Sequence, residues 1–281
     1  VLAVGFHHLA IDAVSLSVWA TQLQGAYKNA AEGRSVAAAV RQDRFIPWLL
    51  QLSRYGASDE LATELDYWRS ACGVDGDGTP RAVSDGTPAW RSTGKTTLSA
   101  AENGRLLETY KTPVARNAAV LAATAAAWTR VTGDTAPLIM TEGHGRHPFP
   151  DTNPMTAVGW FVARYPVGVM VGIDVGATDL VRGVTAQLHR VPNLGIGYDL
   201  LRCRPEGDPL RLEMDRLRKP VLLFQYRGNI DETFRADAAL PVIGAYHEAR
   251  ALNQSYLNQG DIQPLAVTAG LSDGVLYWSV F

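Results

Sequence analysis

The stretch VGFHHLAIDAVS, residues 4–15, decides the fold and stands near the start of the chain. The apolar run from Val1 to Phe6 predicts a buried strand. From Val14 onward, apolar residues recur at helical spacing, so Asp12 stands where a helix N-cap is expected. A turn between a strand and a helix is a common place for side chains that serve a site.

Two adjacent histidines, His7 and His8, occupy this turn. Their side chains must point in different directions, so one can face a cavity while the other braces the turn. Histidine changes its charge near neutral pH, which suits it to proton transfer. The local residues support a packed histidine pair beside a capping aspartate equally well.

Composition bounds the class of protein. The chain has 281 residues, enough for one large domain or two lobes, with 47% apolar and 19% charged residues, as in soluble globular proteins. A formal net charge of -2 argues against nucleic acid as the main partner. No apolar run approaches the roughly 18 residues that span a membrane, and no secretory signal is visible. The widely separated Cys72 and Cys203 form no metal-ligand spacing, which predicts reduced thiols in the cytoplasm.

Strands and helices interleave along the chain, and an α/β or α+β two-layer arrangement is expected. Residues 73–95 are rich in Gly, Pro, Asp, Ser and Thr and predict a linker or surface excursion between two lobes. The segment from Pro264 to Phe281 predicts a hairpin. Apolar spacing predicts the other elements: helices over 14–30, 45–54, 59–71 (capped by Ser58), 100–109, 115–131 and 177–190, strands over 96–98, 137–141 and 220–226, and an extended segment over 158–167.

Glu142 ends the predicted strand over 137–141 and opens the turn EGHGR, whose two glycines permit unusual backbone angles. Backbone amides and the guanidinium of Arg146 could hold the Glu142 carboxylate ionised or orient it. The alternative is a glycine-rich turn that carries a Glu142–Arg146 surface pair.

Tyr226 stands at a predicted strand end, where its phenol can donate to a developing oxyanion; the alternative is a core tyrosine with a satisfied hydroxyl. His144 and His147 have no Cys, Asp or Glu partner at ligand spacing, so loop histidines are expected and no metal site. His189 and His247 lie on predicted helices and are expected to be solvated or packed.

Five segments, in order, resemble the motifs of the epimerization domain of nonribosomal peptide synthetases, a branch of the condensation-domain superfamily. The second of them marks the epimerization branch. The segments are HHLAIDAVS (residues 7–15, resembling HHxxxDGVS), EGHGR (142–146, resembling EGHGR), VGWFVARYPV (158–167, resembling VGWFTxxYPV), LGIGYDLL (194–201, resembling LGIGYGLLR) and FQYRGNID (224–231, resembling FNYLGQFD).

The resemblance implies two chloramphenicol-acetyltransferase-like lobes that meet in a V, with a tunnel between them. Residues 1–72 would be the remainder of the first lobe and 96–281 the whole second lobe. The first part of the first lobe would then be missing, which fits a chain that opens inside an apparent core strand. That segment would be a partner of this chain.

The resemblance also implies a reaction. It is the L to D inversion at Cα of an aminoacyl or peptidyl thioester, carried on the phosphopantetheine arm of a peptidyl carrier protein. His8 and Glu142 would be the two proton-transfer groups, and Tyr226 would assist them. His7 and Asp12 would be structural, and further supporting residues would be His144 and Arg146.

No cofactor would be bound by the domain itself, because the carrier protein supplies the phosphopantetheine. Carrier proteins and neighbouring synthetase domains would be its partners. The chain departs from the family pattern at three positions, where Ala13 replaces Gly, Leu16 replaces Trp and Gln225 replaces Asn. Two other functions stay open: a peptide-bond-forming condensation domain, and a catalytically silent lobe that docks carrier proteins.

Overall fold

The computed structural model describes residues 4–36, 45–73, 94–172, 174–229, 265–272 and 274–280. Within these ranges the chain has a mixed α/β fold in which helices accompany a six-stranded sheet, which confirms the predicted fold class. Most of the predicted linker and His247 lie outside the described residues.

The elements have the following bounds. The helices are α1 (Ala13–Ala31), α2 (Phe45–Gly56), α3 (Asp59–Thr63), α4 (Leu65–Cys72), α5 (Ala100–Thr109), α6 (Pro113–Thr132), α7 (Ala177–Arg190), α8 (Ile196–Arg202) and α9 (Pro209–Asp215). The strands are β1 (Gly94–Thr97), β2 (Leu138–Gly143), β3 (Ala163–Gly168), β4 (Leu222–Asn229), β5 (Ala266–Ser272) and β6 (Val275–Val280). Short 3₁₀ turns cover His8–Ala10, Pro154–Thr156 and Pro192–Gly195.

The sheet has the strand order β1-β6-β5-β4-β2-β3. Its centre is parallel, since β4 pairs in parallel with both β2 and β5, and the outer pairs are antiparallel. The predicted C-terminal hairpin is confirmed as β5 and β6. The register places Thr141 beside Phe224, so the next residues, Glu142 and Gln225, are neighbours across the β2–β4 pair.

Two sequence predictions were wrong about local structure. The described part of the predicted strand over 1–6 is not a strand: Val4 and Phe6 are 47% and 42% exposed, and the Phe6 ring packs against Trp19 of α1. An apolar run becomes a strand only where a partner strand is available. The helix predicted over 59–71 is two helices, α3 and α4, which meet at Glu64.

Glu64 is buried because its carboxylate accepts hydrogen bonds from three side chains. The Tyr55 hydroxyl and Asn193 Nδ2 donate to Oε1 over 2.5 and 2.8 Å, and Trp68 Nε1 donates to Oε2 over 3.0 Å. Burial, followed by the bond to Glu64, raises the pKa of Tyr55. This polar cluster joins α2–α4 to the segment that leads into α8.

The cluster leaves no room for a side chain at Gly197 in α8, where an added Cβ would overlap the Glu64 carboxylate. We expect Gly197→Ala to lower the free energy of unfolding by about 1–3 kcal/mol, the usual cost of forcing extra atoms into a packed site. Gly104→Ala in α5 is the matched control, because nothing lies within 4 Å of the added Cβ. Gly104→Ala should raise the free energy of unfolding by about 0.5–1 kcal/mol, because alanine has a higher helix propensity than glycine. Urea unfolding measures both, and equal effects would contradict the packing argument.

Candidate active site

The two histidines of the N-terminal turn make different hydrogen bonds. His7 Nδ1 accepts from the Leu9 amide over 3.2 Å and so caps the 3₁₀ turn. His8 Nδ1 lies 3.0 Å from the Ile11 carbonyl oxygen. Because a carbonyl oxygen only accepts, Nδ1 of His8 carries a proton and Nε2 is the atom left to exchange one. The half-buried His8 ring also packs edge-on against Trp160, with ring centroids 4.7 Å apart.

Asp12 fixes the start of α1, as its position in the sequence predicted. Its Oδ1 accepts from the Ser15 amide over 2.7 Å, which makes it the N-cap, and its Oδ2 accepts from the Phe161 amide over 3.1 Å. Ser15 adds two bonds to the same loop, since its hydroxyl donates to the Gly159 carbonyl and accepts from the Gly159 amide. Sequence reasoning quoted Ser15 within a motif but gave it no role.

Arg146 completes this arrangement as a buried counter-charge. Its guanidinium donates to both carboxylate oxygens of Asp12 over 2.9 and 3.0 Å, to Ser15 Oγ over 2.7 Å, and lies 4.3 Å from the ring centroid of Phe161. The alternative of a Glu142–Arg146 surface pair is therefore wrong. Gly145, with a φ of 59°, turns the chain so that Arg146 enters the interior.

Glu142 stands where β2 leaves the core: Leu138 to Thr141 are buried, and Glu142 is half-buried. Gln225 Nε2 donates to its Oε2 over 2.9 Å. Burial raises the pKa of Glu142, and the bond from Gln225 opposes that rise.

Three positive groups also face Glu142 and lower its pKa, in the order Arg164, His8 and Arg227. Arg164 is the cross-strand partner of Glu142 on β3. Because the charge of His8 acts on Glu142, the imidazole lies within electrostatic range of the carboxylate. His8 stands four residues before Asp12 and Glu142 four residues before Arg146, so the buried Asp12–Arg146 pair links the two turns that carry them.

Tyr226 lies on the other face of β4 from the residue that contacts Glu142. Gln225 and Tyr226 are consecutive in β4, and consecutive side chains of a strand point to opposite faces. Since Gln225 contacts Glu142, Tyr226 points to the other face, where it packs against the hydrophobic core.

The same alternation places a different phenol, Tyr277, on the face of Glu142. Tyr277 pairs with Gly270, two residues beyond Thr268, which pairs with Gln225. Burial raises the pKa of Tyr277, and the charge of Arg227 opposes that rise. Sequence reasoning missed Tyr277 because only the strand register, and no motif, places it there.

The other described histidines have different surroundings. His144 Nδ1 accepts from the Arg146 amide over 3.1 Å, and partial desolvation with the Arg146 charge lowers the pKa of His144. Burial lowers the pKa of His147, whose carbonyl accepts from Trp48. His189 is exposed at the end of α7. In the described ranges, no three metal-ligating side chains come together.

The comparisons with known proteins agree with this fold. The condensation domain family matches residues 1–225, and the chain belongs to that family. Its sequence is 30% identical to a linear gramicidin synthase polypeptide of Brevibacillus parabrevis, over 94% of this chain and 4% of that protein. It is 29% identical to bacitracin synthase 2 of Bacillus licheniformis, over 82% of this chain and 9% of that protein. The chain thus spans a small part of these relatives.

Two solved structures share the fold. The epimerization domain from the third module of tyrocidine synthetase B matches with a TM-score of 0.68 and 23% identity, over 98% of this chain and 61% of that one. The first condensation domain of the CDA synthetase matches with a TM-score of 0.62 and 18% identity, over 98% of this chain and 56% of that one. Among the described residues, no helix is both long and apolar enough to cross a membrane.

We expect the Asp12–Arg146 pair to dominate local stability. Asp12→Ala leaves a guanidinium that is 0% exposed without its counter-charge, which should cost about 3–5 kcal/mol of unfolding free energy. Arg182→Ala, which removes an Arg182–Asp179 pair whose side chains are 74% and 62% exposed, should cost less than about 1 kcal/mol. Urea unfolding of both variants compares them; a small loss in Asp12→Ala would contradict the assigned role.

Proposed function

We propose that this chain inverts the Cα stereocentre of an aminoacyl or peptidyl thioester, presented on the phosphopantetheine arm of a peptidyl carrier protein. The observation that supports the proposal is that His8 lies within electrostatic range of Glu142, a half-buried carboxylate that Gln225 holds through a hydrogen bond. The EGHGR segment, which resembles the epimerization branch, and the nonribosomal peptide synthetase homologues support it. Carrier proteins and neighbouring synthetase domains are the proposed partners.

Inversion needs two proton-transfer groups. A thioester acidifies its α-proton, and removal of that proton gives a planar enolate. A single group returns the proton to the face it came from, whereas two groups on opposite sides can exchange it across the plane. In one direction the Glu142 carboxylate takes the Cα proton and the protonated His8 returns one from Nε2; the other direction reverses these roles.

The surroundings of the two groups suit this chemistry. The raised pKa of Glu142 brings its carboxyl group closer to neutral pH, where a general base and its conjugate acid are both effective. The positive charges of Arg164 and Arg227, which act on Glu142, also favour negative charge developing on an enolate oxygen. An assisting role for Tyr226 stays a prediction of the resemblance and is not part of this proposal.

A condensation reaction is the second candidate, because the matching family model is that of the condensation domain and a solved condensation domain shares the fold. In that reaction His8 would assist an attacking amine, and Glu142 would be dispensable. A third possibility, a silent lobe that docks carrier proteins, would bind the carrier without any proton exchange.

The deciding experiment is α-proton exchange in heavy water with carrier-bound L-aminoacyl thioesters and no second substrate. We expect exchange and D-product with the wild type, and a loss of about 100-fold or more in Glu142→Gln, the usual contribution of a general base. Glu108→Gln, on the exposed side of α5, is the matched control and should be unchanged. Undiminished D-product from Glu142→Gln would refute the two-group mechanism, and exchange by neither protein would favour the other two functions.

Stability as a function of pH tests the environment of Glu142 separately. Burial raises its pKa above the ordinary value of 4.5, so the folded state binds this proton more tightly than the unfolded state does. The stability that this group contributes is therefore present at low pH and lost as pH rises from the ordinary value through the raised one. Glu142→Gln removes the titration, so it should gain stability relative to the wild type over that window. Urea unfolding of both proteins between about pH 4 and pH 8 measures this difference in stability. A difference that stays constant across that range would contradict the buried environment of Glu142.

A further inference from the structure

We infer that Gln225 is the positioning residue of Glu142, and that Thr268 holds Gln225 in the working orientation. This inference rests on the proposed function only in that Glu142 carries the reacting proton there. Gln225 is also one of the three positions where the chain departs from the family pattern.

The hydrogen bonds form a short relay across three neighbouring strands. Thr268 Oγ1 on β5 donates to Gln225 Oε1 over 3.3 Å, and Gln225 Nε2 on β4 donates to Glu142 Oε2 on β2 over 2.9 Å. The register makes this possible, because Gln225 pairs with Thr268 and follows the Phe224–Thr141 pair. Thr268 is 4% exposed, so its hydroxyl is held within the sheet.

The relay determines which carboxylate oxygen of Glu142 is already hydrogen-bonded. Oε2 accepts the bond from Gln225, so a substrate Cα–H would meet Oε1. The ionised carboxylate only accepts, so the NH₂ group of Gln225 faces it, and the Thr268 hydroxyl donates to the amide oxygen at the other end. Without the hydroxyl, the amide oxygen of Gln225 loses the hydrogen bond that holds that end of the side chain.

The relay also suits a group that must gain and lose a proton. A hydroxyl can donate or accept, and an amide carries both kinds of group. When Glu142 is ionised it accepts from the Gln225 NH₂; when it is protonated, rotation of the amide and hydroxyl lets the Gln225 oxygen accept instead. A cation in the position of Gln225 would serve only the ionised state.

The charged groups that face Glu142 from the other elements are Arg164 on β3, Arg227 on β4 and His8 in the N-terminal turn. Arg164 is also engaged by Asp199 of α8 over 3.3 Å. These charges act on Glu142 whether or not Gln225 is present. A variant of Gln225 therefore isolates the contribution of the relay.

The test compares Gln225→Met, which keeps the length of the side chain but removes both ends of the amide, with Thr268→Val and Thr268→Ser. The first readout is the titration of Glu142 in ¹³C-glutamate-labelled protein, with its signal assigned from Glu142→Gln. The bond from Gln225 lowers the pKa of Glu142, so Gln225→Met should raise its titration midpoint. Thr268→Val should raise it less, and Thr268→Ser, which keeps the hydroxyl, should leave it unchanged.

The second readout is the pH dependence of α-proton exchange. Gln225→Met should lose up to about 100-fold in exchange rate, as expected when a reacting group is misplaced. The low-pH limb of its pH–rate profile should shift to higher pH, together with the titration midpoint of Glu142. The loss should fall mainly on kcat. Thr268→Ser should restore what Thr268→Val loses.

An unchanged Glu142 midpoint in both Gln225→Met and Thr268→Val would overturn the inference. If Gln225→Met does not fold, the Thr268→Val and Thr268→Ser pair decides alone. If the wild type shows no exchange, the proposed function fails, but the titration still decides whether Gln225 and Thr268 control Glu142.

Discussion

The contact between the Asp12 carboxylate and the Arg146 guanidinium is the constraint on which the site depends. The two groups come from turns 134 positions apart in the chain, and both side chains are almost completely buried. A charge removed from water is tolerated only where a counter-charge and further hydrogen bonds meet it. Ser15 and the Phe161 amide supply those bonds. The pair therefore ties the turn that carries the histidines to the turn that follows β2.

The proposed chemistry depends on which atoms of His8 and Glu142 are not used by the hydrogen bonds that hold these side chains. The Ile11 carbonyl sets the tautomer of His8 and leaves Nε2 to exchange protons. Gln225 engages one oxygen of Glu142 and leaves the other. Each group is thus held by a neutral hydrogen-bonding partner, so it is oriented without being locked into one charge state. That is the property a reversible proton exchange requires, and it distinguishes Glu142 from the fully neutralised Asp12.

Much of this could be predicted from the sequence because helix and strand periods and caps are local. The helix over 100–109, the Asp12 cap and the C-terminal hairpin were all predicted correctly. What failed depended on partners distant in the chain. The burial of Arg146 joins turns that are far apart in the chain, and the face taken by Tyr277 is set by strand register; no local pattern discloses either.

The Glu64 cluster has a consequence for exchanging parts between related domains. Its carboxylate is shared by donors from α2, α4 and Asn193, and it excludes any side chain from Gly197. A hybrid with its junction between residues 64 and 193 keeps these hydrogen bonds only where the second parent has matching polar groups; otherwise it leaves buried polar atoms unsatisfied. Junctions that keep residues 12–197 from a single parent avoid this mismatch.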